Sequence, residues 1–236
     1  MTYVVLIVFQ GYREWTESLG SDREWLIQLI QSRLYEVIQS VSKDYDGIAL
    51  PMRYDVQLAL IPPETDVEEF INSLKEALSR YSPTPVIAKA CCGELPEVIN
   101  ECGRYLAEDF IGRCESYEPL VVVHADLNYF TKFTEVNGVL SSYNRIIDYI
   151  STVSSKLRDK AYIQYLGGDN VVALTSIRNL EEVVKVMTSF KDVKVGVGIS
   201  LKPRLAFSKA AEALSILRSE GRVRKYLILQ DEDLSN

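Results

Sequence analysis

The sequence predicts an α+β fold of two tandem ferredoxin-like domains, each ordered βαββαβ, over residues 1–115 and 116–236. Three observations carry this expectation. The apolar runs of the first half recur in the same order in the second. Runs with strand character alternate with helical patterns in the ferredoxin-like sequence. Each half also places a short polar turn between its middle strands: Arg53-Tyr54-Asp55 in the first, Gly167-Gly168-Asp169-Asn170 in the second.

In the first half, a strand from Tyr3 to Phe9 leads through a loop to a long helix. Ser21-Asp22-Arg23-Glu24 fits a capping box, so the helix is expected to start at Ser21. Trp25, Leu26, Leu29, Ile30, Leu34, Val37, Ile38 and Val41 then recur at helical spacing. A hairpin around Asp55 follows, then a helix (67–79), a strand (85–90) and a helix (96–110). The second half opens with strand 119–126, and Leu140, Tyr143, Ile146, Ile147, Ile150, Val153 and Leu157 mark the apolar face of its first helix. The GGDN hairpin, a helix over 180–190, strand 193–199, helix 204–219 and strand 225–229 complete it. Helices are expected on one sheet face only, and the tail 231–236 reads as disordered.

The 236 residues are 47% hydrophobic and 25% charged, with a formal net charge of −7. That acidity argues against a nucleic-acid polymer as partner, which calls for a basic face, yet permits a nucleotide bound through a metal. No apolar run approaches the roughly 20 residues that span a bilayer, and the N-terminal run lacks signal-peptide flanks. The expectation is a cytoplasmic protein with no membrane partner. Cys91, Cys92, Cys102 and Cys114 form no CxxC pair, and the only histidine, His124, lies elsewhere. A His/Cys zinc site is poorly supported. The cysteines read as buried or surface thiols, with a local disulfide as the alternative.

The second-half turn carries the chemistry. Gly167 and Gly168 accept the positive φ of a tight hairpin and set Asp169 at its tip. The strand Leu120-Val121-Val122-Val123-His124-Ala125-Asp126 ends in a second carboxylate. The first strand and the central hairpin are sheet neighbours in this topology, so the two carboxylates approach one another. At about 4 Å and an effective dielectric of about 20 they repel by roughly 4 kcal/mol. One must then take a proton, or a cation must lie between them. Hard carboxylate oxygens suit Mg²⁺, which leans on substrate phosphates for further ligands. The Leu127 carbonyl is a further candidate ligand, and the turn Asn128-Tyr129-Phe130-Thr131 can aim amide hydrogens at a phosphate. Alternation puts His124 on the Asp126 face, where it is either a general base or a packed, hydrogen-bonded histidine. Gly196 and Gly198 permit close backbone approach, by a ligand or by a helix. Lys202, Arg204 and Lys209 either reach a phosphate or form a solvated helix face.

On these motifs the chain resembles archaeal GTP cyclohydrolase III along nearly its whole length. The segments are Tyr12-Arg13-Glu14-Trp15-Thr16, Asp22-Arg23-Glu24-Trp25-Leu26-Ile27-Gln28, His124-Ala125-Asp126-Leu127-Asn128, Tyr165-Leu166-Gly167-Gly168-Asp169-Asn170 and Lys194-Val195-Gly196-Val197-Gly198-Ile199. The GGDN turn alone also resembles those of diguanylate cyclases and polymerase palms, so the domains are expected to be of the palm or nucleotide-cyclase type. The resemblance implies an Mg²⁺-dependent hydrolase that opens the imidazole ring of GTP, keeps the formyl group and shortens the triphosphate. Its product would feed flavin and deazaflavin (F420) biosynthesis. It implies Asp126, Leu127 and Asp169 at the metal, and Asp126, Asp169 and His124 in catalysis. Asn128, Tyr129, Phe130, Gly167, Gly168, Asn170 and Gly198 fall at the nucleotide, and a homo-oligomer is expected. Gln10, Val56 and Ser200 depart from the family pattern, which makes the first half look eroded and supports a second reading, a non-catalytic guanine-nucleotide-binding regulator or subunit. A nucleotidyl cyclase is a third.

Overall fold

Runs of Val, Ile and Leu build two sheets, and their registers are fixed because a one-residue slip would turn every buried side chain outward. The computed structural model describes residues 2–104, 108–112, 114, 118–221 and 223–234. Its packing separates two units, Met1–Gly93 with Glu97–Tyr117, and Glu94–Pro96 with Glu118–Asn236.

The first unit runs β1 (Tyr3–Phe9), α1 (Tyr12–Ser18), α2 (Glu24–Asp44), β2 (Ile48–Leu50), β3 (Val56–Ile61), α3 (Val67–Leu78), β4 (Val86–Cys92), α4 (Glu97–Cys102) and β5 (Phe110–Ile111). The second runs β6 (Leu120–Leu127), α5 (Phe130–Asn137), α6 (Val139–Lys156), β7 (Tyr162–Gly167), β8 (Asn170–Thr175), α7 (Leu180–Met187), β9 (Val193–Ser200), α8 (Pro203–Ser219) and β10 (Tyr226–Gln230). The sheet orders are β2-β3-β1-β4-β5 and β10-β9-β6-β8-β7. In both, the first strand is central and antiparallel to the third and fourth, and the fifth lies parallel beside the fourth. Two tandem ferredoxin-like domains are therefore present, each extended by one strand.

In the second unit, Val121, Val123 and Ala125 of β6 pack against Ile146, Tyr149 and Val153 of α6 and against Val183 and Met187 of α7. Burying each of the Val, Ile and Met side chains contributes roughly 1.5–3 kcal/mol. The first unit repeats this with Val5, Ile7 and Phe9 against Leu34, Ile38, Phe70 and Leu74.

Several expectations need correction. The Ser21 capping box does not form: α2 starts at Glu24, and Arg23 at its N-cap makes no side-chain cap bond. The loop before it holds α1 instead. The helix expected over 96–110 ends at Cys102, and Phe110 lies in β5. Helices occupy both faces of the second sheet: a Cβ at Gly196 or Gly198 would lie 2.1 Å from the Ala210 carbonyl or 1.9 Å from that of Ala206, so α8 covers that face. The apolar face assigned to α6 splits in two. Ile146 and Val153 are buried, whereas Leu140, Tyr143 and Ile147 are 72%, 54% and 41% exposed, about 120° around the helix at 3.6 residues per turn. Glu232–Leu234 of the tail forms a short 3-10 turn, and residues 235 and 236 lie outside the described residues. The cysteines are not thiols. Cys91 is bonded to Cys102 and Cys92 to Cys114, at Cα separations of 5.8 and 5.3 Å, because α4 and the segment after β5 flank the end of β4.

Candidate active site

The site is built where three strands meet. Antiparallel register sets Asp126 of β6 opposite Asn170 of β8 on one side and Lys194 of β9 on the other. His124, two residues earlier, shares that face. The hairpin between β7 and β8 turns at Gly168 and Asp169, with Gly167 at φ 104° and Gly168 at φ 60°. Only glycine enters those conformations without strain, so the two glycines fix where Asp169 sits.

Asp126 is 4% exposed and already neutralised. The Lys194 ammonium, itself 2% exposed, lies 3.4 Å from its Oδ1, and the Arg218 guanidinium, from the last turn of α8, donates to its Oδ2. Lys194 also donates to Asn128 Oδ1 at 2.9 Å. Two side-chain cations thus lie against Asp126. Asp169 remains in deficit: burial first, then the Asp126 charge, raise its pKa above the usual carboxylate range. His124 Nε2 donates to Asn170 Oδ1 at 3.0 Å, and Asn170 Nδ2 donates to Asp169 Oδ1 at 3.2 Å. Of the two readings of His124, this is the packed, hydrogen-bonded one. Burial pushes its pKa down, so it is neutral at pH 7 and holds Asn170, which in turn holds Asp169.

Asn128 and Tyr129 precede α5, with Tyr129 in the left-handed region at φ 58°. The first intrahelical bond, Phe133 N–H to the Tyr129 carbonyl, leaves the amides of Phe130, Thr131 and Lys132 directed out of the helix end. Such an end favours anions. Gly198 is not available to a nucleotide, since the Ala206 carbonyl of α8 occupies the approach. Ser200 is also remote. β9 runs antiparallel to β6, and Ser200 pairs with Leu120, six residues from Asp126, which is about 20 Å at the rise of a strand.

The profile of the GTP cyclohydrolase III family matches residues 3–232. The chain belongs to that family. It is 36% identical over 225 residues to a GTP cyclohydrolase III of Aeropyrum pernix, covering 92% of each chain. It is 34% identical over 227 residues to that of Pyrobaculum aerophilum, covering 94% of this chain and 97% of the relative. Among solved structures, an EAL/GGDEF domain protein of M. capsulatus aligns with a TM-score of 0.43 at 16% identity, over 48% of this chain and 86% of the other. The GGEEF domain of a Vibrio cholerae diguanylate cyclase aligns at 0.41 and 14%, over 49% and 85%.

Within this GTP cyclohydrolase III family member the first unit serves as an internal comparison. Val8 pairs with Val56 and Ile87 as Asp126 pairs with Asn170 and Lys194. The apolar residue at the Asp126 position is therefore Val8, not Gln10, which corresponds to Asn128. Asp55 keeps the place of Asp169 but is paired with Arg53. α4, with six residues, is too short to offer a counterpart to Arg218.

Sequence reading missed Lys194 and Arg218. A lysine inside the otherwise apolar run Val193-Lys194-Val195 was a signal, because a charge in a buried strand needs a partner. Arg218 had none, since only the fold brings it 92 residues back to Asp126. Among the described residues no group of three or more His, Cys, Asp or Glu could hold a metal. Asp126 and Asp169 are the side chains that would hold Mg²⁺, a cation that takes hard carboxylate oxygens and completes its shell with water and phosphate oxygens.

Proposed function

We propose that this protein opens the imidazole ring of GTP by hydrolysis, using Mg²⁺ held by Asp126, Asp169 and the Leu127 carbonyl. The observation that carries the reading is the Asp126–Asp169 pair in a chain matched along its length by the GTP cyclohydrolase III profile. The product is a 2-amino-5-formylamino-6-ribosylamino-pyrimidinone 5′-phosphate. Ring opening consumes one water and leaves C8 as a formyl group, and hydrolysis of the two phosphoanhydride bonds consumes two more and releases two inorganic phosphates. Bound Mg²⁺ neutralises phosphate charge and polarises phosphoryl oxygens. Arg218, whose side chain is 50% exposed, is free to pass from Asp126 to a phosphate oxygen. The helix end at Phe130 and the Gly167-Gly168 turn support the phosphates, and His124 keeps Asp169 aimed through Asn170.

Incubation of the protein with GTP and Mg²⁺, followed by mass analysis of the product and a phosphate assay, tests this reading. Unchanged GTP overturns it. A second reading, a guanine-nucleotide-binding subunit without catalysis, is favoured by the loss of the acidic site in the first unit, where Val8, Val56 and Ile87 stand. It predicts that GTP and Mg²⁺ bind and the nucleotide is recovered intact. A homo-oligomer is part of the same proposal. Val136, Val139, Leu140 and Tyr143 are exposed on α5 and α6, and a second copy would cover such an apolar surface. Sedimentation in solution tests it.

A further inference from the structure

An open cleft of about 260 Å³ adjoins the acidic pair, walled by the outer face of α5, by Arg145 of α6 and by Asp192 just before β9. Two consecutive contacts connect it to the carboxylates: Asn128, in the cleft wall, accepts from Lys194 at 2.9 Å, and Lys194 lies 3.4 Å from Asp126. That span is about one ribose. A nucleotide with its phosphates at Asp126 and Asp169 would have this cleft within reach of its base.

The lining has the chemistry of one base. Asp192 is half-exposed and can accept two N–H groups. Arg145 holds it from one side, donating to Oδ2 at 3.2 Å, and is itself stacked over Phe133 with its guanidinium 4.6 Å from the ring centroid. The Asp192 backbone is tied as well, since its carbonyl accepts from Asn128 N–H at 2.7 Å. Guanine presents N1–H and N2–H side by side as donors, which matches a carboxylate. Its O6 is an acceptor, which matches Arg145 or Lys132. Tyr129 supplies a second, independent observation. It is 64% exposed and held at φ 58°, a conformation uncommon for a bulky residue, which fixes where its ring stands.

The first unit shows what the fold needs without a base. There Gln10 N–H donates to the Pro85 carbonyl at 2.9 Å, the same backbone bond that joins Asn128 to Asp192. Proline stands where Asp192 does. Gly11, at φ 73°, caps α1 as Tyr129 caps α5. The scaffold needs neither a carboxylate nor an aromatic ring at these positions. We infer that Asp192 is the specificity-determining residue that reads the N1–H and N2–H edge of guanine, with Tyr129 as its stacking platform. This rests on the GTP reading above and adds to it the group that selects the base.

Asp192→Asn tests it, because an amide accepts from N1–H and donates to a carbonyl at C2, the edge of xanthine rather than guanine. GTP and XTP binding in Mg²⁺ would be measured by calorimetry on the whole protein and on the variant. The expected result is a loss of GTP affinity of about tenfold or more, the scale of a hydrogen bond to a charged group, with a gain for XTP. Tyr129→Gly, which retains the left-handed cap, is expected to weaken both nucleotides alike and leave their ratio unchanged. A GTP-to-XTP ratio unaltered by Asp192→Asn overturns the role of Asp192 while the GTP reading stands. Absence of GTP binding by the unaltered protein overturns both.

Discussion

His124, Asn170 and Asp169 form one hydrogen-bonded chain, so a change at any of them reaches the carboxylate. Asp169 carries a charge that burial and Asp126 disfavour, and Asp169→Asn removes it while keeping the turn glycines. The expected outcome is loss of Mg²⁺-dependent GTP turnover by a factor of about 100 or more, the scale of losing an electrostatic group that acts on the transition state. The melting temperature should be unchanged or higher. Normal turnover removes the site assignment. His124 gives a pH signature. Its folded pKa lies below 6.5, so between the two values the unfolded chain binds a proton that the folded protein does not. Stability therefore falls as pH drops through 6.5 and is insensitive above it. Asp169 acts with the opposite sign in a lower window that begins at 3.8: its raised pKa makes stability fall as pH rises. Thermal melts at pH 7.5 and 5.5 should show a smaller acid loss for His124→Gln than for the unaltered protein, and parallel losses would exclude the histidine as the cause.

At the scale of elements, α8 both closes the sheet and delivers Arg218. Its seat is Gly196 and Gly198, where the Ala210 and Ala206 carbonyls leave no room for a Cβ. Gly198→Ala is expected to cost roughly 1–3 kcal/mol by overpacking and to lift α8, so that Arg218 leaves Asp126 and nucleotide affinity falls as well. A variant with unaltered melting and affinity would show that the helix yields without consequence. This pair of glycines also shows where sequence reading stops. Gly167 and Gly168 were legible because a tight turn is a local matter of φ, whereas Gly198 offers a vacancy that only the fold assigns to a helix or to a ligand. The strands were legible from their apolar runs. α1 and α5 were not, because neither buries a residue and so neither carries the apolar stripe that reveals a helix. Asp126 was legible at a strand end. The partners that neutralise it come from β9 and α8, and no local pattern links them to it.

Across the whole molecule the same strand order is used twice, with a division of labour between the copies. The second sheet holds its fifth strand through α8, a helix of 17 residues with six buried side chains, and β10 adds five residues of parallel pairing. Among the described residues the first sheet has at that edge the six residues of α4 and a β5 of two residues, less burial than α8 and β10 supply. All four cysteines fall there, joining β4 to α4 and to the segment after β5 across separations of 11 and 22 residues. In the chain-entropy account a closed loop of about 15 residues contributes about 3 kcal/mol. The cross-links thus stand in for the packing that a longer helix supplies in the other unit. Reduction with a phosphine should lower the melting temperature and raise hydrogen exchange over residues 86–112, while exchange in β6, β8 and β9 and the binding of GTP with Mg²⁺ stay as they were. Alkylation of all four cysteines in the denatured, unreduced protein, or exchange over 86–112 unaltered by the reductant, would overturn this role of the cross-links. Loss of nucleotide binding on reduction would instead show that the second unit depends on the first.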